Sequence, residues 1–303
     1  LTVNGSTVIA TNLSTEGNSW GGVNVDPGSG VVSPSVFTLN SGTLAENTQI
    51  WSDGANVNAS STVTVNAVGY TQYKKAGTNV IVWSNSTTNL ATITKAGITT
   101  GYTTIQAAID AAEAGDTIMV YPGTYNETAT DRSVNGASYQ FGLFFGTSTV
   151  TLQAVTSGTV IITTNATNSF GNSGTFVAAD NITISGITFA ENIPGTNKTI
   201  EVIGDNFTLT NSKISETNGS VYVNDFTTAE KVNKFTITNN VFDNASTISI
   251  ASGSGSSAAS PATDRVITGN TFKGVSTVYA RVSFSGAGGQ PWYTLPVGGA
   301  VIT

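Results

Sequence analysis

The feature that most constrains this chain is a repeat in its second half. Asp180-Asn181-Ile182-Thr183-Ile184-Ser185-Gly186-Ile187-Thr188-Phe189 aligns with Asp205-Asn206-Phe207-Thr208-Leu209-Thr210-Asn211-Ser212-Lys213-Ile214. Both align with Asn233-Lys234-Phe235-Thr236-Ile237-Thr238-Asn239-Asn240-Val241-Phe242 and with a shortened copy, Val266-Ile267-Thr268-Gly269-Asn270-Thr271-Phe272. The aliphatics Ile184, Leu209, Ile237 and Ile267 recur at separations of 25, 28 and 30 positions. A period of this size means stacked supersecondary units. Each unit holds only short strands with apolar residues at spacing two, broken by Asn, Gly or Ser, and lacks the helix of a leucine-rich or ankyrin repeat. Such units are turns of a parallel β-helix. Each strand pairs with its copy about 4.8 Å away, so like residues stack into ladders. Ile, Leu and Phe are expected inside, Thr outside, and Asn at the corners, where Asn240 and Asn270 match.

The open end of such a stack must be covered. A helix is expected over residues 103–114, with Thr103 or Thr104 as N-cap and Gly115 as the stop. Ile105, Ala108, Ile109 and Ala112 form its apolar stripe. Asp116-Thr117-Ile118-Met119-Val120 then reads as the first strand, and Pro122-Gly123 as a turn. The run Tyr102–Ala112, with Gly115-Asp116-Thr117-Ile118 and Pro122-Gly123-Thr124-Tyr125, resembles the cap and first rung of pectin-lyase-like right-handed parallel β-helix proteins. Thr175-Phe176-Val177, Asn181-Ile182-Thr183-Ile184 and Ile187-Thr188-Phe189 are similar to later rungs of pectin esterases in that superfamily. The resemblance spans about residues 98–286 and implies a fold more than an activity.

Residues 1–95 depart from this pattern. Thr7–Ala10, Val36–Leu39, Ser61–Val65 and Val80–Trp83 read as short strands of a small antiparallel, sandwich-like β-domain. Ile50-Trp51-Ser52-Asp53 is echoed by Val82-Trp83-Ser84-Asn85. The β-helix is assigned to 96–303, with a distal cap or tail at 287–303.

Composition narrows the function. The 303 residues include 11 Lys+Arg and 18 Asp+Glu, a net charge of −7 without a basic block, which excludes nucleic acid as the expected partner. No apolar run is long enough for a membrane-spanning helix. There is no Cys and no His, so thiol chemistry, a Ser-His-Asp triad and the usual zinc sites are absent. Met119 is the only methionine, and a removed secretory signal is the expected reason that the chain begins at Leu1. A surface rich in Ser, Thr, Asn and Gly suits an extracellular, cell-surface address.

The resemblance implies carbohydrate chemistry. Lyases of that superfamily use carboxylate-bound calcium and a basic residue, and its esterases use two aspartates and an arginine. Neither motif set is recognisable here. Asp180 and Asp205 are the candidate metal ligands, with calcium the expected ion if one binds, but turn capping explains both residues. Trp20, Trp292 and Tyr293 are candidate sugar contacts, while Trp51 and Trp83 are expected in the N-terminal core. The segment containing Leu1, Val3, Val8 and Ile9 could donate a strand to a neighbouring chain, or form the first strand of its own domain. Eleven Asn-X-Ser/Thr triplets occur, against about eight expected by chance at this composition. Asn126 and Asn197 are the candidate glycosylation sites. The reading favoured is a non-catalytic structural or adhesive surface protein, a surface-layer, appendage or filament subunit that self-associates or meets other surface proteins and polysaccharide. A polysaccharide lyase or esterase is the alternative, and a viral tail adhesin the third.

Overall fold

The computed structural model describes residues 2–3, 22–24, 36–41, 49–53, 62–67, 69–78, 80–84, 90–164, 173–190, 198–216, 219–225, 232, 234–244, 246–252, 265–273, 282–286 and 301–302. The chain forms two compact units, residues 1–88 with 92–102 and residues 89–91 with 103–303.

The second unit is a parallel β-helix of three sheets. On the first face, Thr117–Val120, Thr151–Ala154, Thr183–Ser185, Phe207–Thr210, Phe235–Thr238, Arg265–Thr268 and Val301–Ile302 stack in order. The second face stacks Gly123–Glu127, Val160–Thr164, Ile187–Phe189, Lys213–Ile214, Val241–Phe242 and Thr271–Phe272. The third stacks Ala137–Phe145, Ser173–Val177, Ile200–Val202, Ser220–Asp225, Thr247–Ser252 and Val282–Gly286. The chain visits the faces in rotation, completing six turns.

Registers follow the sequence alignment. Ile118, Leu152, Ile184, Leu209, Ile237 and Ile267 form one interior row, all buried. Tyr125, Ile162, Phe189, Ile214, Phe242 and Phe272 form the second face's row, where Phe242 and Phe272 stack with centroids 4.8 Å apart. Each fully buried aliphatic of this size contributes roughly 1.5–3 kcal/mol. Alternate residues point outward. On the first face they make two rows, Thr117-Thr151-Thr183-Thr208-Thr236-Val266 and Met119-Gln153-Ser185-Thr210-Thr238-Thr268.

The cap helix, α1, spans Ile105–Ala111. Thr104 is the N-cap, its hydroxyl accepting from Ala107 N–H at 3.1 Å. Ile105, Ala108, Ile109 and Ala112 are buried, as the periodicity requires. The helix stops earlier than expected because Ala112 leaves helical geometry, and Gly115 at φ +94° serves the turn beyond it. The first turn also extends a hairpin, Thr130–Val134 against Ala137–Phe141, through left-handed Asn135 and Gly136.

The first unit corrects the expected all-antiparallel pairing. Thr2–Val3, Val36–Leu39 and Thr62–Val65 form one parallel sheet, and Gly22–Asn24 pairs parallel with Gln49–Trp51. The described strands from Thr2–Val3 to Thr62–Val65 alternate between the two sheets instead of folding back as hairpins. Antiparallel pairing appears where Val80–Ser84 meets Gln49–Asp53 and Thr71–Lys75. Phe37, Leu39 and Ile50 bring both sheets into one core, packed by Trp83. The echoed segments are direct neighbours, with Trp51 opposite Val82 and Trp83 opposite Ile50. The boundary expected at 95/96 falls inside a tight turn, Ala96-Gly97, both with positive φ. Residues 92–102 therefore stay in one unit.

Candidate functional site

The carboxylates that would carry chemistry lie at the corner where each turn enters the first face. Asp180 Oδ1 accepts from the backbone N–H of Asp205 at 2.7 Å, and Asp205 Oδ1 accepts from Lys234 N–H at 2.8 Å. Asn206 Nδ2 donates to Asn181 Oδ1 at 2.8 Å, and both asparagines sit in the left-handed region. A short polar side chain suits that backbone conformation, because its oxygen bonds the neighbouring turn. The two aspartates are therefore spliced into a ladder that ties one turn to the next. Calcium requires six to eight oxygen ligands. Asp180 and Asp205 each have one oxygen engaged, and no group of three acidic side chains with metal-binding spacing occurs among the described residues.

A second polar ladder runs along the corner between the first and second faces. Asn240 Oδ1 accepts from Ser212 N–H at 2.9 Å, and Ser212 Oγ accepts from Ile187 N–H at 3.2 Å. Asn240 and Asn270 donate through Nδ2 to the carbonyls of Leu209 and Ile237 at 2.9 and 2.8 Å. Outside this corner lies an open groove of about 390 Å³ lined by residues including Gly186, Asn211, Lys213 and Asn239. Lys213 pairs with Asp243 at 2.7 Å, and that hydrogen bond holds the Asp243 carboxyl below its ordinary value.

Three buried glutamates lay beyond the reach of sequence reasoning. Glu127 accepts from Ile105 N–H at 2.7 Å and Gln106 N–H at 3.2 Å, fastening the cap helix to the second face. Burial raises its pKa, and these two donors oppose the rise. Buried Gln106 completes the joint, since its Oε1 accepts from Phe144 N–H at 2.7 Å. Glu201 accepts from Lys198 Nζ at 2.8 Å and Ser173 Oγ at 2.7 Å, and Glu216 accepts from Thr199 Oγ1 at 2.5 Å. Glu201 occupies an outward register on the third face, beside Phe176 and Tyr222, yet is buried. Burial of an outward-facing acid has no signature in a period-two pattern. On the same face, Phe144 and Phe176 stack at 6.1 Å, with the Arg132 guanidinium 5.6 Å from the Phe144 ring. Arg132 pairs with Asp110 at 2.8 Å instead of its sequence neighbour Asp131.

The chain matches no family model, no curated protein and no solved structure.

Of the other sequence candidates, Val3 lies in the strand paired with Val36–Leu39 of its own unit. Asn126 is exposed on the second face, and its Oδ1 accepts from the Thr163 hydroxyl. Leu1, Val8, Ile9, Trp20, Asn197, Trp292 and Tyr293 lie outside the described residues. Trp51 is buried with Val80 and Val82, and Lys75 Nζ lies 4.8 Å from its ring.

Proposed function

We propose that this chain is a non-catalytic component of a cell surface, structural or adhesive, built on a β-helix of the pectin-lyase-like kind. The observation that carries this reading is the use made of Asp180 and Asp205. In an enzyme of that kind, carboxylates on successive rungs would hold calcium or exchange protons. Here each accepts a backbone N–H from the following turn, which is a scaffold's use of an acid. The low charge and the Ser/Thr/Asn-rich surface support an extracellular setting. Self-association and contact with other surface proteins or polysaccharide belong to the same proposal. Strand donation through Leu1–Ile9 would require exchanging the Thr2–Val3 pairing with Thr38–Leu39.

Electron microscopy of native, cell-derived material beside the chain expressed alone tests this directly. Ordered filaments or sheets containing the protein are expected. Dispersed monomers together with calcium-dependent depolymerisation of a polysaccharide would overturn the proposal.

A further inference from the structure

The first face of the β-helix offers a two-dimensional array that neither turn capping nor core packing uses. Its outward rows place Thr or its near-isostere Val at every turn from Thr117 to Val266, and hydroxyls at Ser185, Thr210, Thr238 and Thr268 beside them. Every residue of both rows is at least partly exposed. Within a row the repeat is the strand spacing, about 4.8 Å, and between rows it is two strand residues, about 6.6 Å. The Thr238 hydroxyl donates to Thr210 Oγ1 at 3.3 Å, linking two neighbouring turns within the second row. Backbone pairing above and below holds each strand, and the interior row behind it is closely packed.

Charge selects among occupants. The chain carries −7 overall, yet neither row contains a charged side chain. An uncharged partner is complementary to it. Protein interfaces concentrate Tyr, Trp and Arg at their centres, and soluble sugars stack on aromatic rings. The two rows hold none of these residues. Met119 and Gln153 occupy the first two turns of the second row; from Thr183 and Ser185 onward both rows hold only methyl- and hydroxyl-bearing side chains in a rigid net, and a rigid net loses little entropy on contact with another lattice. The neutral lattice of oxygen atoms with repeats of a few ångströms is ice. Methyls would sit in its surface hollows while hydroxyls continue its hydrogen bonds.

We infer that the two threonine rows of the first face form an ice-binding surface. This inference stands apart from the assembly reading and needs only the folded β-helix.

The test is thermal hysteresis, the gap between melting and freezing of a single ice crystal, measured on the full chain. A resolvable gap and faceted crystals are expected. T208K/T236K places cations at the middle of the net and should abolish the gap, while T188K on the second face should leave it unchanged. If T208K/T236K melts early by circular dichroism, T208Q/T236Q replaces it, since Gln153 already occupies this face. That variant breaks the flatness without charge and should also lose the gap. No gap in the parent, or an unchanged gap in the folded face variant, overturns the inference. Retention on crystalline chitin or cellulose without hysteresis does so too, and would assign the face to a solid polysaccharide.

Discussion

Asn270 Oδ1 accepts twice from Asn240, from its backbone N–H at 2.9 Å and from its side-chain amide at 3.1 Å. Asn240 in turn serves Ser212 and the Leu209 carbonyl one turn earlier. Each corner side chain thus finishes the backbone of the preceding turn.

Asn240→Ala should therefore be costly. It strands the Ser212 N–H and Leu209 carbonyl in a buried corner, and roughly 2–4 kcal/mol is expected from two unsatisfied groups. Asn240→Asp keeps an acceptor for Ser212 but turns a buried carboxylate toward the Leu209 carbonyl and Asn270 Oδ1, so it should cost at least as much as the alanine variant. Urea unfolding of the three proteins measures the order.

Leu209→Asp should collapse the β-helix. Leu209 is fully buried between Ile184 and Ile237, so the carboxylate would meet only stacked aliphatics. The expected loss exceeds about 4 kcal/mol. A variant that melts with the parent would refute the rung assignment.

Glu127 gives the stability a pH dependence. Its folded pKa is raised above the ordinary 4.5. Its contribution is therefore fully present below about pH 4.5 and is lost as pH rises through the folded value. Glu127→Gln removes that titration. Relative to the parent, the glutamine variant should gain stability between acid and neutral pH, over a constant offset for one lost acceptor. Thermal melts at stepped pH read the difference, and parallel curves would contradict it.

Glu201 separates charge from hydrogen bonding. Glu201→Ala leaves Ser173 and Lys198 without this acceptor and should cost about 2–4 kcal/mol. Glu201→Gln can still accept from Lys198 and donate to Ser173, so its cost should be nearer 1 kcal/mol. Equal losses in denaturant titrations would show that the charge itself dominates.

What could be read from the sequence was set by where the repeat is regular. Ile184, Leu209, Ile237 and Ile267 align by eye because their turns have short, similar corners, and the ladder followed directly. Leu152 belongs to the same row, but the longer corner at 155–159 hides its alignment. Helix α1 was legible because an amphipathic stripe and a threonine cap are local signals. Glu127, Gln106 and Glu201 were not, because their roles depend on partners 21 to 38 residues distant or on burial of an outward position. In the first unit, Val36–Leu39 and Thr62–Val65 pair parallel across 26 residues without similar flanks. Pairing direction had no local trace.

The corner bonds between Asp180 and Asp205 also make the molecule countable. A segment of 25 residues separates two positions that do the same job in successive turns. Excising or duplicating one such segment at matching corners restores every ladder on either side. The chain's length is then an integer, which inheritance can alter by whole turns, each adding about 4.8 Å.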